Sequence, residues 1–191
     1  MIRFLYLGRW QPVKGIDVVV RAMRMLQADW PIELVIHGVG DGPEEREYAT
    51  AVRRLAEGDH RIKIAPPAPR DLLVETYARA NALVVPSLWL ETGPLVVLEA
   101  KAVGLPVIGS RLGGIAELVQ EPHDGILVRS GDVKAWADAI TRFARTSALV
   151  RTNEKLNDVR TMREAADDMA ALYDRMCLST DNTETLSCES R

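Results

Sequence analysis

Cysteine is nearly absent from this 191-residue chain: the two present, Cys177 and Cys188, both fall in a polar C-terminal stretch. That excludes a disulfide scaffold, and no Cys/His spacing fits a structural zinc site. Long apolar runs are also missing. Nothing approaches the ~18 consecutive apolar residues of a membrane span, and the N-terminus lacks the pattern of a signal peptide. The expectation is a soluble, reduced, cytoplasmic setting. Positive charge is not in excess, with a net charge of −3 and a pI near 5.7. No long-range field gathers nucleic acid, so any phosphate site must be local. A dinucleotide fingerprint is lacking too. The glycines at Gly38, Gly40 and Gly42 are spaced G-x-G-x-G and follow the second apolar run, not the first. This argues against a nicotinamide-dependent oxidoreductase.

What is present is apolar material, 47% of residues, in a length that suits one domain. Short apolar runs alternate with longer segments of helical period, the pattern of a parallel sheet covered on both faces. Strands are predicted at Ile2–Gly8, Ile32–Gly38, Ile62–Ala65, Ala82–Val85, Pro106–Gly109 and Ile126–Val128. Helices are predicted near Gly15–Gln27, Pro43–Glu57, Arg70–Arg79, Leu95–Val103, Ile115–Val119 and Val133–Ala144. Gly104 falls where a helix C-cap belongs, just before Pro106. The fold class is therefore α/β, a doubly wound parallel sheet of about six strands. Arg151–Met176 reads as one or two surface helices with an apolar stripe through Met162, Ala166, Met169, Leu172, Tyr173 and Met176. The boundaries expected are one domain over residues 1–176 and a disordered polar tail over 177–191.

Ligands of open α/β sheets sit beyond the carboxyl ends of the strands. After the first strand, Arg9 and Lys14 flank a turn that runs from Gly8 to Gly15 and leads into a helix. Helix N-termini attract anions, and two nearby cations would complete a diphosphate site; two solvated cations bracketing a loop are the alternative. His37 ends an apolar strand, as structural histidines do, and His60 and His123 fall in loops. The stretch Pro86–Ala100 closes the fourth strand, forms a loop and opens a helix. Its Glu91 and Glu99 are eight residues apart. On one helix they would stand ~12 Å apart along the axis, against the ~5–5.5 Å between the carboxyls of a retaining glycosidase. Two separate jobs fit better, with Glu91 in the loop over a ligand and Glu99 on the helix facing the same crevice. A ribose diol would give Glu99 a polar partner, and solvent would serve equally. Gly113-Gly114 forms a further turn at the same edge, read as structural.

These motifs, in order, resemble the C-terminal domain of GT-B retaining glycosyltransferases, family 4. They are G-R-x-x-x-x-K-G at Gly8–Gly15, P-S at Pro86-Ser87, E-x7-E at Glu91–Glu99, G-x-P-V at Gly104–Val107 and G-G-I-x-E at Gly113–Glu117. The likeness covers roughly residues 2–145, and the segment to about 176 suits the family's return helix. It implies the Rossmann-like donor half of a GT-B fold, binding a nucleotide sugar. Arg9 and Lys14 would hold the diphosphate, with Gly8 in the same turn, and neutralise the leaving group. Glu91 would position the transferred sugar, and Glu99 would hold the ribose. Backbone N–H groups of Gly93 and Leu95 would touch sugar or phosphate. The base would lie near Ile64–Pro67, with Ile64 and Pro67 in contact and Leu95 close by. No cofactor or metal is implied, in keeping with the lack of an Asp-x-Asp motif; the cations and the helix end would stabilise the departing diphosphate instead.

Pro94 departs from the family pattern, because proline has no N–H to donate; it is comfortable at a helix start. The base-side loop also has Ala65–Pro69 where the family often has glycine. The resemblance further implies an N-terminal acceptor-binding domain, or a separate subunit, facing this one. Residue 1 already begins the donor domain, as in a fragment or split gene, so donor binding without turnover is expected. A facing half could also carry a peripheral membrane contact. The alternatives are a non-catalytic nucleotide-sugar-binding or partner-interaction module, and a fragment of a GT-B nucleotide-sugar epimerase.

Overall fold

A computed structural model describes residues 1–146 and 161–181. The contacts divide into two compact units, Met1–Asn157 and Asp158–Arg191, each described by itself. In the first unit, six strands form one parallel sheet: β1 (Ile2–Arg9), β2 (Ile32–Val39), β3 (Ile62–Ala65), β4 (Ala82–Val85), β5 (Val107–Ser110) and β6 (Gly125–Val128). Their order is β3-β2-β1-β4-β5-β6. The helices between them are α1 (Ile16–Met25), α2 (Pro43–Ala56), α3 (Leu73–Ala78), α4 (Leu95–Ala102), α5 (Gly113–Leu118) and α6 (Val133–Thr146).

Alternation along the strands explains the double winding. Phe4, Tyr6, Ala82, Val84 and Ile108 join α1, α2 and α6 in one core. Their neighbours Leu5, Leu83, Val85 and Val107 join α3, α4 and α5 in the other. Helix α1 buries Ile16, Val19, Val20 and Met23, a 3-4 stripe that a helix presents on one side. Helix α4 ends in a Schellman motif. Gly104, at φ 69°, donates to the Lys101 carbonyl, and Leu105 donates to that of Ala100. This is the cap expected of Gly104.

Several boundaries differ from expectation. The third helix begins at Leu73, because Arg70–Leu72 after Pro69 forms a 3-10 turn. β5 begins at Val107, since Pro106 cannot donate and uses only its carbonyl, accepting from Leu83 N at 2.9 Å. α5 starts two residues early because Gly113 and Gly114 enter the helix. Among the described residues of the second unit, one helix, α7, covers Met162–Asp181. The tail expected to begin at Cys177 is thus helical through Asp181, as the turn of α7 carries on past Met176. Residues 147–160, which include the start of the predicted surface-helix segment from Arg151 on, and 182–191 lie outside the described residues.

Among the described residues, charge is buried only where it is paired. Lys101 and Asp124, nearly buried, meet at 2.9 Å. Glu33 is held by Arg3 at 2.7 Å and Lys63 at 2.5 Å. Burial pushes the Glu33 carboxyl upward, but the hydrogen bonds from Lys63 and Arg3 outweigh it and leave it below the usual range. The folded state therefore binds this proton more weakly than the unfolded chain. The stabilisation is complete above the ordinary glutamate value of ~4.3 and is lost as pH falls through the lower folded value. Thermal midpoints should drop below pH ~4 in the wild type, with a shallower slope in Glu33→Gln.

Glycine is indispensable at one crossing. Gly15 has φ 65°, and a Cβ there would lie 2.1 Å from the Pro86 carbonyl oxygen. At Gly58, φ is 81° but the space is open. Urea unfolding should show Gly58→Ala costing about 1–2 kcal/mol, the strain of a left-handed backbone, and Gly15→Ala costing clearly more, because backbone must also move.

Candidate functional site

The strand order reverses between β1 and β4. Strand β1 pairs with β2 along its whole length, from Ile2–Ile32 to Arg9–Val39. With β4 it pairs only at Phe4–Ala82 and Leu5–Leu83. Past Leu5 the two strands part, and a cleft of about 280 Å³ opens at their carboxyl ends. Its wall includes Tyr6, Gly8 and Arg9 from β1, Lys14 from the following turn, Ser87, and Glu91–Leu95 from the β4–α4 loop apart from Thr92. Such a crevice is where ligands of doubly wound sheets bind.

Two loops are pressed together to make it. Leu88 N donates to the Val13 carbonyl at 2.7 Å, and Ser87 Oγ lies 3.2 Å from the same oxygen. Lys14 Nζ then reaches Glu91 Oε1 at 2.6 Å, and Ser87 Oγ donates to that oxygen at 2.8 Å. Both charged side chains are less than a third exposed. Glu91 is also held by its backbone: Gly114 N donates to its carbonyl at 2.6 Å. A Cβ on Gly114 would stand 2.8 Å from that oxygen, and one on Gly113 2.9 Å. The double glycine read as a structural turn is the clamp on the Glu91 backbone.

Arg9 turns to another partner, its guanidinium donating to Glu45 Oε1 at 2.7 Å. Glu45, in the first turn of α2, accepts the Gly42 N–H with its other oxygen. The hydrogen bond from Arg9, then that from Gly42, holds the Glu45 carboxyl below its ordinary range. Helix α4 opens at the cleft. Its first two residues, Leu95 and Val96, line it with N–H groups for which the helix has no acceptor. Tyr6 lies beneath, 4% exposed, with its hydroxyl 3.2 Å from the Arg9 carbonyl. Burial, then Tyr48 and Glu91, push that hydroxyl far above the ordinary tyrosine range, so it remains a neutral donor.

The structure thus brings together Gly8, Arg9, Lys14, Glu91, Gly93 and Leu95. Glu99 is not in this wall. It is exposed one turn further along α4, and its Oε2 accepts a hydrogen bond from Tyr77 at 2.6 Å. Ile64 and Pro67 line a different hollow of about 740 Å³, with Trp10, Gly38, Gly40, Asp41 and Arg53. Leu95 does not line it. Trp10 lies flat against Gly38, where a Cβ would come within 2.0 Å of the ring, and Arg53 stands 5.7 Å from the ring centre. His37 Nδ1 is 2.6 Å from the Pro66 carbonyl, a structural contact of the kind expected.

Sequence reasoning gave no role to Ser87, Tyr6, Glu45 or Tyr77. Glu45 had a signal, a glutamate three residues after the Gly42-Pro43 helix start. Ser87 stood in a motif already noted. Tyr6 falls in the first predicted strand and Tyr77 in the third predicted helix, and nothing local marks their hydroxyls.

Residues 2–146 match the family model described as glycosyl transferases group 1. A D-inositol 3-phosphate glycosyltransferase of Acidothermus cellulolyticus is 37% identical over 149 residues, which are 73% of this chain and 32% of that protein. Its counterpart in Mycolicibacterium smegmatis is 31% identical over 89% of this chain and 39% of its own length. Among solved structures, sucrose-phosphate synthase from Thermosynechococcus elongatus has a TM-score of 0.78 at 32% identity, over 93% of this chain and 46% of that one. Anabaena HepE, solved with UDP and glucose, has a TM-score of 0.66 at 19% identity, over 98% and 48%, a likeness of fold alone. The chain spans about a third of the length of the curated relatives and under half of the solved ones. The sheet is the Rossmann-like half of a GT-B fold, and the chain belongs to the group 1 glycosyltransferases.

Proposed function

We propose that these residues form the donor-binding half of a retaining glycosyltransferase that moves a hexosyl group from a nucleoside diphosphate sugar to a glycan or lipid-linked acceptor. The observation that carries this is the meeting of Lys14, Ser87 and Glu91 with the start of α4 in one cleft, where the sheet reverses. The diphosphate lies over the Gly8–Lys14 turn. Lys14 has three N–H donors, so it can keep Glu91 and still bind a phosphate oxygen. Arg9 adds the second cation, and the free N–H groups at Leu95 and Val96 face the same space. Negative charge that builds on the departing diphosphate is thus met by groups already in place, with no metal needed. Glu91 lies beside the sugar and orients it for same-face transfer, which retains the anomeric configuration. Gly93 offers backbone to the sugar, Glu99 takes the ribose, and the hollow beside Ile64 and Pro67 takes the base.

Binding of UDP by HepE and the inositol 3-phosphate transferase activity named for the relatives support this reading. The acceptor belongs to a facing half. Trp89, Leu90 and Leu95, each more than 60% exposed near the cleft, are the apolar surface such a half would cover.

Titration with UDP, GDP and ADP, followed by thermal unfolding, should raise the midpoint with one of them. At 100 times the dissociation constant the gain is ~2.7 kcal/mol, a few degrees for a chain of this size. Lys14→Ala and Arg9→Ala should each abolish the shift; a shift that survives both would place the nucleotide elsewhere. With that nucleotide's glucose conjugate and inositol 3-phosphate, the 191 residues alone should give no transfer product. Turnover at rates of ~1 s⁻¹ or more, ordinary for enzymes, would overturn the division of labour.

A further inference from the structure

Tyr77 is 2% exposed, packed with Leu83, Val97 and Ala100 on the α3–α5 side of the sheet. Its ring is therefore fixed by the core. Its hydroxyl surfaces at Glu99 and donates to Oε2 at 2.6 Å, its one hydrogen bond among the described residues. Apolar packing accounts for the ring but not for the hydroxyl, since phenylalanine would fill the same space without a polar atom to desolvate. Burial, then the Glu99 carboxylate, push this hydroxyl far above the ordinary tyrosine range, so it stays a donor at any physiological pH.

Glu99 has the opposite surroundings. It is exposed and four residues past Leu95, on the same side of α4 as that residue of the cleft wall. A glutamate on an open helix face samples several rotamers. Here one oxygen is pinned from the core, and Oε1 has no partner among the described residues. A carboxylate has about four lone-pair sites and only one is used, which leaves acceptors for a vicinal diol.

We propose that Tyr77 is a positioning residue for donor recognition, holding Glu99 in the orientation that accepts hydrogen bonds from the two ribose hydroxyls of a nucleoside diphosphate. The inference rests on the donor-site reading above. Tyr77 does not touch the ligand; it spares binding the cost of ordering Glu99. Ordering one rotamer-rich side chain corresponds to about three- to tenfold in affinity.

The test uses the full 191-residue chain and isothermal titration with UDP, 2′,3′-dideoxy-UDP and inorganic pyrophosphate, with the GDP and ADP pairs in parallel. The wild type should prefer the ribose form to the dideoxy form. Tyr77→Phe should weaken the ribose form about three- to tenfold and leave dideoxy nucleotide and pyrophosphate unchanged. Equal weakening of all three ligands would show a merely structural role, and undiminished preference for ribose would show that Glu99 needs no support; either overturns the proposal. If Tyr77→Phe lowers stability, the Glu99→Ala background decides, since there the same change should cost no further affinity. A wild-type chain that binds pyrophosphate and nucleotides not at all would sink the donor-site reading, and this role with it.

Discussion

The contact between Gly15 and the Pro86 carbonyl is the constraint on which the site depends. It joins the turn after β1 to the loop after β4, two segments seventy residues apart that belong to opposite halves of the sheet. Because residue 15 has no side chain to overlap the Pro86 oxygen, the loops can come close enough for Leu88 N to donate to the Val13 carbonyl. Only then does Lys14 reach Glu91. Strands β1 and β4, having parted after Leu5, supply the opening; the loop crossing gives it a floor with charge in it.

That charge is balanced before any ligand arrives. Lys14 is matched by Glu91 and Arg9 by Glu45. Neither cation is left bare, so neither pays a full desolvation penalty, and both are held in place by a partner. An anion entering the cleft would meet a preformed array. The two pairs differ in setting. Lys14–Glu91 is more enclosed, and its attraction is screened less than that of Arg9, whose side chain is 59% exposed. The Lys14–Glu91 side of the wall is thus the more enclosed, and the Arg9 side the more open to solvent.

The sheet was legible because apolar runs of strand length and helices of 3-4 period leave little freedom in how they pack. The edge at which Arg9, Lys14, Glu91 and the glycines gather followed from the same pattern. Contacts between distant residues were not legible. Nothing near Tyr77 in the sequence announces a partner 22 residues later, and a tyrosine in a helix reads as core. Glu99 was expected to face the same crevice as Glu91; it stands one helical turn past Leu95, exposed and not part of the cleft wall. The glycine pair at 113–114 looked like a turn because its reason, the carbonyl of Glu91, lies on another loop. The end of α7 was misplaced because polar composition after Met176 hid a helix that has no need of apolar residues on every side.

The clamp on the Glu91 carbonyl also limits how such a site can diverge. With no room for a methyl group on Gly114 and its N–H donating to the Glu91 carbonyl at 2.6 Å, the main chain at Glu91 is tied to the start of α5. Changes to this wall that keep the bond cannot arise by sliding the loop. They must be written in side chains that no neighbour confines, such as Thr92 and Leu95 on the rim, both exposed, or at Gly93, where a Cβ would meet nothing within 4 Å. The scaffold thus separates a fixed anchor from a short, editable margin.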